Sequence, residues 1–182
     1  YLLMEFVDGV DLSLRLRRGA VSVSEALAIA RQVADALSAA HESGIVHRDL
    51  KPDNMLLITD PHDEHILPRV KLTDFGLARE IEESEAQHVT SAGTLLGTPR
   101  YMSPEQAQGN RIDARSDLYS VGVVLYQLLS GQTPFDANTP SSQMIHHVCE
   151  QPQPLSKVAP QIEAPLVRIV ERLLKKRPDD RY

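Results

Sequence analysis

Between Ser116 and Gly131 the chain reads "SDLYSVGVVLYQLLSG", a run that would be apolar on nearly every face of a helix. A helix at a protein surface shows one apolar stripe, so a helix of this kind must be enclosed by other elements. The run therefore predicts a domain packed around one central helix. With 182 residues, 42% of them hydrophobic, the chain can bury one such core, and a single compact unit is expected. No internal repeat at solenoid spacing is present, which removes repeat architectures.

Other elements follow from local pattern. "YLLMEFV" at the start is apolar enough for a buried strand, and "DGVDL" after it reads as a turn. Ser22 and Glu25 have capping-box spacing, and Leu27, Ala30, Val33, Leu37 and Ala40 recur at three- and four-residue steps, which predicts an amphipathic helix closed by Gly44. "MLLI" and "RVKLTDF" read as two short strands joined by a polar excursion, "TDPHDEHILPR", in which His62 and His65 are expected to be solvated. From Asp74 to Glu105 there is little periodicity, and a long loop inside a compact domain is commonly functional. Further helices are expected near "SQMIHHVCE" and over "APLVRIVERLLKK", with prolines marking the loops between them.

A formal net charge of -6 argues against nonspecific binding to nucleic acid or an anionic membrane, both of which need clustered Lys and Arg. The acidic cluster Glu80 to Glu85 is expected to be a solvated loop. One cysteine, Cys149, excludes an intramolecular disulfide framework and a Cys-based zinc site, and a buried thiol on a helix is expected there. No apolar run is long enough for a bilayer, and no charged segment followed by an apolar one opens the chain. A reducing, cytoplasmic setting is expected.

The chemistry lies in "HRDLKPDN", His47 to Asn54, and the strand after it. Asp49 and Asn54 sit five residues apart on one loop, Asp74 follows the next strand pair, and Lys51 adds a cation. Hard oxygen ligands of this kind suit Mg²⁺, which prefers carboxylates together with substrate phosphates. A metal-holding pair, a further carboxylate and a cation are what phosphoryl transfer from a Mg-nucleotide requires.

In order, "HRDLKPDN", "DFG" and "SPE" match the protein-kinase signature set, and the chain resembles the C-terminal lobe of a serine/threonine protein kinase. The resemblance spans the whole chain. It implies an α+β, protein-kinase-like fold, with residues 1–12 as the hinge region and 13–182 as a mainly helical lobe edged by a short β-hairpin. "GTPRYMSPEQAQG" is most similar to the eukaryotic-like kinases of bacteria.

The resemblance also implies roles. Asp49 would accept or orient the proton of the substrate hydroxyl, Lys51 would stabilise the moving phosphoryl group, and Asn54 and Asp74 would hold Mg²⁺. Met4 would be the gatekeeper of the ATP site, the backbone of Glu5 and Val7 would meet the adenine edge, and Leu56 would form its floor. Asp11 would contact the ribose or, with Asp53, favour basic residues before the acceptor; Asp53 reads equally as a solvated carboxylate. Phe75 would pack against His47, and Gly76 would permit the backbone flip between active and inactive states. Asp117 would hold the backbone of the catalytic loop, and Glu105 with Arg181 would form a buried ion pair.

Lys51 and Thr98 fit a serine/threonine rather than tyrosine acceptor on a protein, with Leu95, Pro99 and Met102 lining a pocket for the residue after it. Arg48 implies control by phosphate on the activation segment. Thr94 is the expected site, with Thr90 and Ser91 next, Arg79 as a second phosphate ligand, and a homodimer as the setting for trans-autophosphorylation. No G-x-G-x-x-G occurs, and no Lys precedes Lys51. The phosphate-covering loop, the ATP-positioning Lys and the rest of the smaller lobe are therefore expected outside this sequence, and the isolated chain is expected to be inactive. A pseudokinase or interaction module is the competing reading.

Overall fold

The computed structural model describes residues 5–59, 67–75 and 99–182. A small antiparallel sheet lies at one edge, formed in the order β1 (Val10–Asp11), β2 (Met55–Ile58) and β3 (Arg69–Leu72). The rest is helical: α1 (Leu12–Leu16), α2 (Val23–Glu42), α3 (Pro104–Ala107), α4 (Ala114–Ser130), α5 (Pro140–Cys149), α6 (Leu155–Val158) and α7 (Ala164–Leu173).

The central helix is α4. Asp113 caps its start, accepting from the Arg115 N–H, and Gly131 ends it at φ 79°, the left-handed conformation that glycine adopts without penalty. Tyr119, Val123, Val124, Leu125, Tyr126, Leu128 and Leu129 on it are all buried, packed against α2 and α7. Gly122 lets α7 approach: a Cβ there would lie 2.7 Å from Leu173 Cβ.

Several expected features differ. Residues 5–9 form no strand, and Phe6 is 88% exposed. A strand lies at Val10–Asp11, within the expected turn, paired with Leu57 and Leu56, and residues 1–4 of the expected strand lie outside the described residues. Among the described residues β1 adds a third strand to the expected hairpin of β2 and β3. Ser22 caps α2, accepting from the Glu25 N–H, but Glu25 does not complete a capping box; its carboxylate takes a bidentate pair with Arg15 at 3.1 and 2.9 Å. The buried stripe of α2 is Ala26, Ile29, Val33 and Leu37, which leaves Leu27 exposed. Cys149, the last residue of α5, is exposed rather than buried.

Gln32 ties α2 to the sheet. Its side chain accepts from the Val70 N–H at 2.9 Å and donates to the Pro68 carbonyl at 3.0 Å, covering backbone groups that an edge strand would leave unpaired. The strands thus hold the two loop ends that carry Asn54 and Asp74 against the helical body.

Candidate active site

The loop from His47 to Asn54 joins α2 to β2, and its backbone is held by buried side chains from elsewhere. Asp117, 1% exposed at the start of α4, accepts from the His47 and Arg48 N–H groups at 2.9 Å each and from His41 Nε2–H at 2.7 Å. Arg48 adopts φ 68°, a strained value for a residue with a Cβ. Its carbonyl accepts from Gln106 Nε2 at 2.6 Å.

Within the loop, Asp49 Oδ2 accepts from Lys51 Nζ at 2.6 Å and from Asn54 Nδ2 at 3.2 Å, while Asn54 Nδ2 also donates to the Asp49 carbonyl at 2.8 Å. The Asn54 amide nitrogen therefore orders Asp49, which leaves its oxygen for other work. Thr73 joins this loop to β3. Its N–H donates to the Asn54 carbonyl at 3.0 Å, and its own carbonyl accepts from His47 Nε2 at 3.0 Å. Asp74 comes next, exposed and at φ 61°. Asn54 and Asp74, far apart in sequence, are thus brought together through one residue.

His47 is buried and its ring lies 4.6 Å from that of Phe75, the expected packing. Its Nδ1 has no hydrogen-bond partner among the described residues. With Nε2 committed to Thr73, His47 acts as a structural strut between the loops. Leu56 lies on β2 between the buried Met55 and Leu57, so it faces away from the core. Asp11 caps α1 through the Leu14 N–H at 2.9 Å and accepts from Ser13 Oγ at 2.5 Å; the Ser13 bond, offset in part by burial and aided by the Leu14 N–H, holds its carboxyl below the ordinary range. Glu5 pairs with Lys71, both carboxylate oxygens lying 2.7 Å from Nζ, and Val7 is half-buried nearby in sequence. Asp53 is exposed, as a solvated carboxylate would be.

Pro99 is buried and Met102 half-buried in a strip anchored on the helices. Ser120 donates to the Tyr101 carbonyl at 2.7 Å, Tyr101 OH donates to Gln127 at 2.7 Å, and His147 Nε2 donates to the Arg100 carbonyl at 3.0 Å. His147 is fully buried, and its Nδ1 accepts from Tyr119 OH at 2.9 Å. Burial first, and the nearby Lys176 second, pull its pKa down to about 4. Glu105 and Arg181 form the expected buried pair at 2.7 and 2.8 Å. Burial pushes the Glu105 carboxyl up, but hydrogen bonds from Arg181 and Ser116 more than offset it, so it lies below its ordinary value.

Met4, Gly76, Arg79, Thr90, Ser91, Thr94, Leu95 and Thr98 lie outside the described residues, as do His62, His65 and the acidic run at 80–85. Sequence reasoning missed Gln106, whose side chain reaches the loop from α3, and His41 on α2, which bonds the Asp117 carboxylate that holds the loop. For Gln106 a signal existed: it stands three residues after Ser103, the spacing of a capping box.

A carboxylate ordered by a lysine and an asparagine, with a second acid at the end of a strand tied to that asparagine's backbone, is joined by agreement over the full sequence: a family model described as "Protein kinase domain" matches residues 1–182. The chain belongs to the protein kinase domain family. It is 45% identical over its full length to the serine/threonine-protein kinase Pkn1 of Myxococcus xanthus, covering 25% of that protein. It is 39% identical to PknB of Mycobacterium tuberculosis, covering 28% of it. The chain thus spans about a quarter of the length of these curated relatives. Among solved structures it is similar to the PknI kinase domain of Mycobacterium tuberculosis, with a TM-score of 0.72 at 29% identity over 98% of this chain and 59% of that one.

The donor set present fits Mg²⁺. No described residue hydrogen-bonds Asn54 Oδ1 or the Asp74 carboxylate, and both are hard oxygen donors of the type Mg²⁺ takes.

Proposed function

We propose that the protein carrying this chain transfers the γ-phosphoryl group of ATP to serine or threonine hydroxyls of other proteins. The observation that carries this reading is the Asp49 carboxylate, ordered by Lys51 and Asn54, with Asp74 next to the Thr73 whose N–H bonds the Asn54 carbonyl. Asn54 and Asp74 would hold Mg²⁺, which would neutralise charge on the nucleotide phosphates. Asp49 orients the incoming hydroxyl and accepts its proton as the oxygen commits to attack. Lys51, 2.6 Å from Asp49, supplies positive charge where the phosphoryl group passes. The strip with Pro99 and Met102, together with Leu95, receives the residue after the acceptor, and Thr98 fits a serine or threonine acceptor.

Regulation belongs to the same reading. Arg48, directly before Asp49, pairs with phosphate on Thr94, added by a second copy of the protein, with Arg79 as the other ligand. Mass spectrometry that finds Thr94 unmodified in fully active protein contradicts this part.

The test is transfer of label from γ-labelled ATP with Mg²⁺, in the protein as it exists and in Asp74→Asn. Label on Ser or Thr that vanishes in the variant supports the reading. ATP binding without any transfer would replace it with a scaffolding role.

A further inference from the structure

Gln106 has no part in the phosphotransfer reading, yet its side-chain amide is used at both ends. Oε1 accepts from the Ser103 N–H at 3.0 Å, and Nε2 donates to the Arg48 carbonyl at 2.6 Å. The first contact, with the Gln106 N–H to Ser103 Oγ at 3.3 Å, closes the capping box of α3. The two partners fix the amide's orientation, because exchanging its oxygen and nitrogen would set donor against donor and acceptor against acceptor.

The second contact spans 58 positions in the sequence and ends on a strained residue. At φ 68°, Arg48 holds its conformation only while its surroundings do. Asp117 holds its N–H at 2.9 Å, and Gln106 holds its carbonyl. That carbonyl shares one rigid plane with the Asp49 N–H, so the tilt of the plane sets the direction in which Asp49 projects its carboxylate.

We propose that Gln106 is a positioning residue for Asp49, holding the Arg48–Asp49 peptide plane through Nε2 while Oε1 closes the cap of α3. The end of the segment leading into α3 and the catalytic loop are then set together. The proposal rests on the phosphotransfer reading for its kinetic consequence, not for its structural one.

Gln106→Glu separates the two duties. Glutamate is a favoured residue at this capping-box position, so α3 is retained, but an oxygen now faces the Arg48 carbonyl where a donor stood. Ser103→Ala is the counterpart, weakening the cap and leaving the Arg48 contact in place. Both are made in the protein as it exists and compared by hydrogen exchange over residues 45–54, by melting temperature, and by kcat and KM for ATP.

In Gln106→Glu, loop amides should exchange faster and kcat should fall about tenfold or more at temperatures where the variant is folded, with KM for ATP unchanged and melting lowered by a few degrees because the Arg48 carbonyl loses its donor. Ser103→Ala should melt a few degrees lower, about the effect of a lost cap, with wild-type loop exchange and kcat. Loop exchange at the wild-type rate in Gln106→Glu overturns the proposal, as does a loss of kcat matched in Ser103→Ala. If the wild-type protein transfers no phosphate, the phosphotransfer reading fails, and loop exchange alone decides the role of Gln106.

Discussion

Replacing Asp117 by Asn removes one acceptor from a buried carboxylate that serves three donors: the His47 and Arg48 N–H groups and His41 Nε2–H. Oδ2 takes two of these and Oδ1 one, so the least costly orientation of the amide keeps its oxygen toward His47 and His41. Its NH₂ then faces the Arg48 N–H, and a buried donor is orphaned at a cost of about 1–3 kcal/mol. The two surviving bonds lose their charge assistance, and a total of about 2–4 kcal/mol is expected. Arg48 at φ 68° also stores about 1–2 kcal/mol that its N–H bond had held in place, so the loop should relax toward negative φ and turn the Asp49 peptide. Thermal unfolding should show a drop of roughly 5–15 °C for a domain of this size, with phosphotransfer falling at temperatures where the variant is still folded. Melting within about 2 °C of wild type, with unaltered transfer, would refute the claim that Asp117 holds this loop.

Glu105→Gln leaves the Arg181 guanidinium buried without its counter-charge. The cost should sit near the low end of 3–5 kcal/mol, about 3, because the carbonyls of Lys175, Lys176 and Arg115 still accept from it; an unchanged urea midpoint would contradict this. His147 is held at a pKa of about 4 against an unfolded value near 6.5, so its neutral form stabilises the fold fully above pH 6.5 and that contribution drains as pH falls. The loss should be about 2 kcal/mol by pH 5 and about 3 by pH 4. His147→Gln, which does not titrate, should lack that part of the slope in denaturant titrations. Gly122→Ala would gain about 1 kcal/mol of helix propensity but forces a Cβ to 2.7 Å from Leu173 Cβ, and a net loss of about 1–2 kcal/mol is expected; a more stable variant would show that α7 yields freely.

How far the sequence could be read depended on whether a residue's partner was local. Helix α4 was legible because an all-round apolar run has one stable fate, and Asp49, Asn54 and Asp74 were legible because the motif names them. On α2, Ala26 and Leu27 begin overlapping stripes at the same three- and four-residue steps. Only the packing against α4 and β3 decides that the one beginning at Ala26 is buried. "YLLMEFV" is apolar enough for a strand, yet residues 5–9 form none, since pairing is decided by which backbone β2 presents. Helix α1 went unread because "LSLRL" alternates like a strand and becomes helical only once Asp11 caps it. Glu25 had capping-box spacing, but Arg15 took its carboxylate, whereas Gln106 had the same spacing and used it.

A habit among the buried polar side chains of this domain explains how a loop can hold chemistry. Alongside side-chain pairs such as Glu105 with Arg181 and Tyr119 with His147, several of them end on the backbone of loops: Asp117 on His47 and Arg48, the half-buried Gln106 on Arg48, Ser120 on Tyr101 and His147 on Arg100. A segment that buries its backbone outside helix or sheet has no intrinsic partners for its N–H and C=O groups, so each must be met from outside. Asp117 and Ser120 lie three residues apart on α4, and so near one face of that helix. One rigid, fully packed helix therefore fixes both the loop that carries Asp49 and the strip that carries Pro99 and Met102. The separation between the proposed proton acceptor and the proposed substrate platform is then set by helix geometry rather than by either loop. This is why the apolar run that dictates the fold is also the element on which the site depends.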